Sequence, residues 1–167
     1  MSKLPEYILD RIFDAPRAMV WQAWTDPELL ARWYGPGVET IIHEFNLTVG
    51  GFWLNEMKWG EKSMLSKAVF TQVNENELLV WDHSAADESW NIVSNPMMPD
   101  WPKTLHTVVS FEDAGDKTRV RLVWTPVGAS QAELDCFSGA MNNMGKGWES
   151  GYAIMDQIFA ELQNSNA

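Results

Sequence analysis

The sequence is poor in the features that announce familiar chemistry. It holds one cysteine, Cys136, so no intramolecular disulfide can form and no CxxC metal or redox pair exists. Cys136 reads as a small buried apolar residue, and a reducing cytoplasm fits best. Basic residues are also scarce: 12 Lys+Arg stand against 23 Asp+Glu, a formal net charge of -11. Such a surface repels phosphate backbones and anionic lipid headgroups at long range. The cations are scattered, so nucleic acid is disfavoured and the charge reads as solubility. No run approaches the roughly 18 apolar residues of a membrane span, and Met1–Glu6 lack the apolar stretch of a signal peptide. Membrane insertion is not expected.

Catalytic signatures are missing as well. There is no GxSxG, P-loop, HExxH or Cys/His nucleophile pair. His43, His83 and His106 fall on three different strand-like segments without paired carboxylate spacing, so neither a metal centre nor a cofactor is expected. Asp87-Glu88 and Glu112-Asp113 read as solvated turns. The abundant residues are 10 Trp, 7 Phe and 9 Met. Broad rings and flexible thioethers suit an adaptable apolar lining, although most must be plain core. At 167 residues the chain fits one domain, 1–167, large enough to bury a core without staples.

Along the chain, Tyr7–Phe13 has strand-forming residues and stops at Asp14-Ala15-Pro16, where Asp can cap and Pro can start a helix. A helix over about Pro16–Thr25 follows. Asp26-Pro27-Glu28 then caps a second short helix ending near Tyr34-Gly35-Pro36-Gly37. Strand-like segments at Glu39–Thr48, Phe52–Lys58, Met64–Val73 and Leu78–His83, split by turn residues, read as an antiparallel meander. Ala85–Lys103, with Pro96, Pro99 and Pro102, reads as a long irregular connection. Thr104–Phe111 and Thr118–Trp124 then form a hairpin, with Val120, Leu122 and Trp124 on one face. From Ser130 an apolar stripe at Leu134, Phe137, Met141, Met144, Trp148, Tyr152, Met155, Phe159 and Leu162 predicts one long helix. Gly139, Gly145, Gly147 and Gly151 interrupt it at about 1 kcal/mol each, which implies a bend or a close neighbour.

This order does not alternate β and α, so a parallel doubly wound sheet is disfavoured. An antiparallel sheet with one apolar face must bury it, and the carboxy-terminal helix is the long amphipathic element available. The sheet should curve around that helix, with Gly50-Gly51 a place to bend. The expected class is α+β, with a hollow between sheet and helix.

Ala15-Pro16 followed by Val20-Trp21, Thr25-Asp26-Pro27-Glu28, Trp33-Tyr34-Gly35-Pro36, Gly50-Gly51-Phe52-Trp53, Leu78-Leu79-Val80-Trp81 and Gly147-Trp148 resemble the Hsp90-ATPase-activator-like (AHSA1) group of START/polyketide-cyclase-like (SRPBCC, Bet v 1-like) domains. The resemblance spans almost the whole chain. It implies a helix-grip fold: a curved antiparallel sheet of six or seven strands around the last helix, with two short helices after strand 1. It implies less about activity, because lipid carriers, cyclases and co-chaperone modules share that frame. Gln72 stands where the family often has an acidic residue, and the 85–103 connection is longer and more aromatic than the family pattern.

Strand parity sets Ile41, His43, Phe45 and Leu47 on one face, making His43 a polar anchor or proton donor in the hollow, or else a histidine hydrogen-bonded within the core or at a sheet edge. Trp53, Trp81, Trp124, Met141, Trp148 and Tyr152 are expected to line the hollow by inward parity or helix-stripe position, with plain packing an equal alternative. Asn55 shares the face of Trp53 and could orient a ligand or face water. The first functional expectation is therefore a protein that binds a small apolar or aromatic molecule. The second is a cyclase- or dehydratase-type enzyme in which His43, Asn55 or Tyr152 move protons. The third is an Hsp90-type chaperone-interaction module. The partners in view are thus a small ligand, a chaperone and a second copy of the chain.

Overall fold

Runs of alternating apolar and polar residues become strands here, and apolar positions three or four apart become helices. A computed structural model describes residues 4–35 and 37–165, so Met1–Lys3 and Pro36 of the expected motifs lie outside it. β1 (Tyr7–Phe13) leads into α1 (Arg17–Thr25) and α2 (Pro27–Trp33). β2 (Glu39–Phe45), β3 (Phe52–Trp59), β4 (Lys62–Asn74) and β5 (Leu78–Ala86) follow as a meander. The two-residue β6 (Ile92–Val93) precedes the hairpin of β7 (Thr104–Ala114) and β8 (Lys117–Pro126), and α3 (Gln131–Ser165) is the last described element. The strands form one open, curved antiparallel sheet in the order β1-β8-β7-β5-β4-β3-β2, with β6 paired to β5 off that path. The 85–103 connection is thus not wholly irregular: Ala85 and Ala86 pair with Val93 and Ile92.

Local chemistry sets the boundaries. Asp26 caps α2 by accepting from the Glu28 N–H at 3.0 Å, with Pro27 in the first turn. α3 opens on a reciprocal cap, in which the Ser130 N–H donates to Glu133 Oε1 and the Glu133 N–H to Ser130 Oγ. The cap expected of Asp14 is not formed; Pro16 occupies the N-cap position without a side-chain bond. Nor does the chain bend within a strand at Gly50-Gly51. These residues lie between β2 and β3, where the Gly50 N–H donates to Phe70 O and the Phe70 N–H to Gly51 O. A Cβ on Gly51 would fall 2.1 Å from Asn46 O, so only glycine permits that approach. The register instead shifts between Ile42 and Glu44 and between Phe70 and Gln72, two bulge sites that help the sheet curl.

Inward positions of β5, β7 and β8 supply the floor of the core: Leu79, Trp81, Val109, Phe111, Val120 and Leu122 are all buried. Trp24 on α1 is the hub above them, with ring centroids 4.6 Å from Trp33, 6.2 Å from Trp81 and 6.1 Å from Trp148. Trp33 Nε1 donates to Ala23 O at 2.8 Å, locking α2 to α1. From Gly151 onward α3 closes the core: a Cβ there would lie 2.8 Å from Trp33 O, and Tyr152, Met155 and Ile158 are 0% exposed. The bare backbone at Gly151 is therefore where α2 seats on α3.

Candidate functional site

α3 does not meet the rest of the molecule equally along its length. Between Asn143 and Gly151 one flank of it borders an open cleft of about 340 Å³. One wall is the end of α2 and its exit, Trp33, Tyr34 and Gly35; Trp124 of β8 contributes the ring below them. The opposite wall is α3, through Asn143, Met144, Gly147, Trp148 and Gly151. None of these side chains is ionised at neutral pH. Burial drives the Tyr34 phenol well above its ordinary pKa, so it stays protonated. The Trp124 and Trp148 rings meet edge to face at 5.3 Å, and Tyr34 reaches Trp53 at 4.8 Å. Gly147 is exposed, and nothing lies within 4 Å of where its Cβ would be.

The expected site residues separate into three groups. Trp124 and Trp148 stand in the cleft wall. Trp53, Trp81 and Tyr152 are buried in the aromatic core behind it at 3%, 2% and 0% exposure, and Asn55 is 2% exposed on the Trp53 side of β3; Met141 is half-buried on α3. His43 is not in the hollow: it stands on the edge strand β2, as the reading of a histidine hydrogen-bonded at a sheet edge allowed. The bulge between Ile42 and Glu44 breaks the two-residue period, so Ile42 and Phe45 pack on the core while His43 turns outward. There its Nε2 lies 2.8 Å from Glu56 Oε1, with its ring 5.5 Å from that of Trp90. It offers no proton to the interior. Trp33, Tyr34, Gly35, Asn143, Met144 and Gly147 were missed as wall residues. The only signal for them was the spacing of Gly147 and Gly151, four apart and so on one helix face.

A small pocket of about 40 Å³ lies between β4, β5 and the 85–103 connection, lined by Met64, His83, Asn95, Trp101 and Pro102 among others. His83 lines it from β5, on the inward parity of Trp81. Loss of water around the imidazolium lowers the His83 pKa to about 4, so it is neutral at pH 7. Tyr152 is likewise held neutral, because burial raises its pKa above the ordinary phenol value.

The family described as Activator of Hsp90 ATPase homolog 1-like protein matches residues 14–160. The chain belongs to the AHSA1 family. Among solved structures, a Mycobacterium smegmatis protein is 22% identical with a TM-score of 0.75, over 94% of this chain and 95% of its own. An Arthrobacter aurescens protein is 24% identical with a TM-score of 0.75, over 91% and 86%. A Rhodobacter sphaeroides protein is 17% identical with a TM-score of 0.76, over 94% and 93%. At such identities these structures establish the shared fold alone. No curated protein matches the sequence. Among the described residues of this AHSA1 chain, no helix is long and apolar enough to cross a membrane.

Proposed function

We propose that this AHSA1 chain binds a small apolar or aromatic molecule in the cleft between α3, the end of α2 and β8. The observation that carries the reading is a cleft of about 340 Å³ walled by Trp33, Tyr34, Trp124 and Trp148 with no ionised side chain. That volume lies in the range of small-molecule sites, about 300–1,000 Å³. Gly147 strengthens it: glycine in a helix interior is costly, yet here no neighbour requires it. Trp53, Trp81 and Tyr152 then support the wall, Met141 flanks it, and the single Cys136 is compatible with a cytoplasmic protein.

A metabolite panel screened by native mass spectrometry and thermal shift should yield at least one aromatic or apolar ligand. Gly147→Phe, whose ring would enter open space, should keep the fold and lose that ligand by at least about tenfold. Ligands bound equally by both proteins would place the site elsewhere. The cyclase-type reading would use this same cleft, but without the histidine expected to serve it. The chaperone reading rests on the family's kinship. It is weakened because none of the ten tryptophans is exposed as a docking patch would require; a pull-down with Hsp90 tests it.

A further inference from the structure

Buried polar side chains normally find partners, because a donor stripped of water and left unpaired is costly. Among the described residues Arg11, Trp24, Trp53, Asn55, Thr107, Trp124 and Tyr152 each keep such an unpaired atom, and of these Trp124 alone lines the cleft, with Thr107 its cross-strand neighbour. Thr107 Oγ1 on β7 and Trp124 Nε1 on β8 are buried without a partner among the described residues. Thr107 is 0% exposed. The two residues are direct cross-strand neighbours, which places their Cβ atoms about 4.5–5.5 Å apart on one sheet face. Trp124 forms part of the cleft wall, and the Trp148 ring packs edge to face against it at 5.3 Å. The pair therefore sits at the cleft wall, Trp124 lining it and Thr107 beside Trp124 on the same sheet face.

Their chemistry restricts what could satisfy them. An indole N–H can only donate, and a threonine hydroxyl is free to donate. Both ask for an acceptor. A plain hydrocarbon would leave them unpaired, and valine would serve it better at position 107. An anion is excluded by a different argument: the wall has no cation to compensate a carboxylate withdrawn from water.

We propose that the cleft's ligand is a neutral aromatic or apolar compound carrying an acceptor oxygen, of the aryl ketone class, and that Thr107 and Trp124 donate to that oxygen once Trp148 turns aside. This rests on the binding reading above and narrows it to a chemical class.

Two probes of matched shape decide it: 2-acetylnaphthalene, which carries the carbonyl, and 2-ethylnaphthalene, which does not. Each is titrated into the 15N-labelled protein while the indole N–H signals are followed, the Trp124 signal being assigned by its loss in Trp124→Phe. The ketone should bind about tenfold more tightly than the hydrocarbon, the size of one added hydrogen bond. It alone should move the Trp124 indole proton downfield. Thr107→Val should bring the two affinities within about threefold of one another, whereas Thr107→Ser, which restores a hydroxyl, should recover the preference. Equal affinities with an unmoved Trp124 signal would overturn the acceptor proposal and leave the binding reading standing. A preference that survives Thr107→Val would remove Thr107 from it. Binding of neither probe, at concentrations up to their solubility, would overturn both.

Discussion

The two halves of α3 are one continuous helix used in two ways. From Trp148 to Phe159 it presents Tyr152, Met155, Ile158 and Phe159, each at most 2% exposed, to the β1 side of the sheet and to α1 and α2. Among the described side chains from Gln131 to Gly147 only Phe137 is fully buried, its ring 5.6 Å from Trp101; Met141 and Met144 are half-covered. The glycines follow the same division. Gly151 is where Trp33 presses on the helix, while Gly139 and Gly147 have nothing within 4 Å of where a Cβ would stand; Gly145 is the exception in the first half, with the end of the Tyr7 side chain at 3.2 Å. Packing holds the second half and open space accompanies the first, so stability and binding should respond to mutation in different halves.

The largest test is truncation on each side of that division. Phe159→Ala empties a site enclosed by Phe13 and its neighbours and should cost about 3–5 kcal/mol in chemical denaturation. Met144→Ala, at a half-covered cleft position, should cost less than about 1 kcal/mol. Similar losses from the two would break the comparison. Beneath the first half, at the pocket under Trp101, His83 gives it a pH signature. Its folded pKa of about 4 lies below the ordinary 6.5, so the unfolded chain binds the proton first. Stability should therefore fall as pH drops below about 6.5, by at most about 1.4 kcal/mol per unit, and the decline should end near pH 4 where the folded protein also protonates. His83→Leu should flatten that part of the curve; an unchanged slope would show that other groups cause it.

How much of this was readable beforehand depends on how local the cause is. The stripe from Phe137 to Phe159 and the inward set Val120, Leu122 and Trp124 follow from fixed periods of 3.6 and 2, and both are realised. So is the cap at Asp26, which requires only its neighbours. His43 was misplaced because one extra residue in β2 reverses every later parity, and Thr40–Glu44 contains no glycine or proline to mark it. The cleft was hardest to foresee. Its walls come from the exit of α2, the end of β8 and one flank of α3, and their meeting is set by the seat of Trp33 on Gly151. Gly151 was visible as an oddity; its partner, more than a hundred residues earlier, was not.

The finest test uses the two glycines themselves, because one substitution should have opposite signs four residues apart. In a helix interior Gly→Ala ordinarily gains about 0.5–1 kcal/mol, since alanine loses less backbone freedom on folding. At Gly147 nothing opposes that gain, so Gly147→Ala should raise stability by that amount. At Gly151 the new methyl would meet Trp33 O at 2.8 Å, an atom of the backbone that cannot swing away, so α2 must shift and the gain is reversed. Gly151→Ala should lower stability by about 1–3 kcal/mol and disturb the Trp33 wall of the cleft as it does so. Denaturation curves for the two variants measure the sign directly. If both proteins were stabilised, Gly151 would be a tolerated flaw rather than the seat of α2, and the division between a packed and an open half of α3 would lose its physical cause.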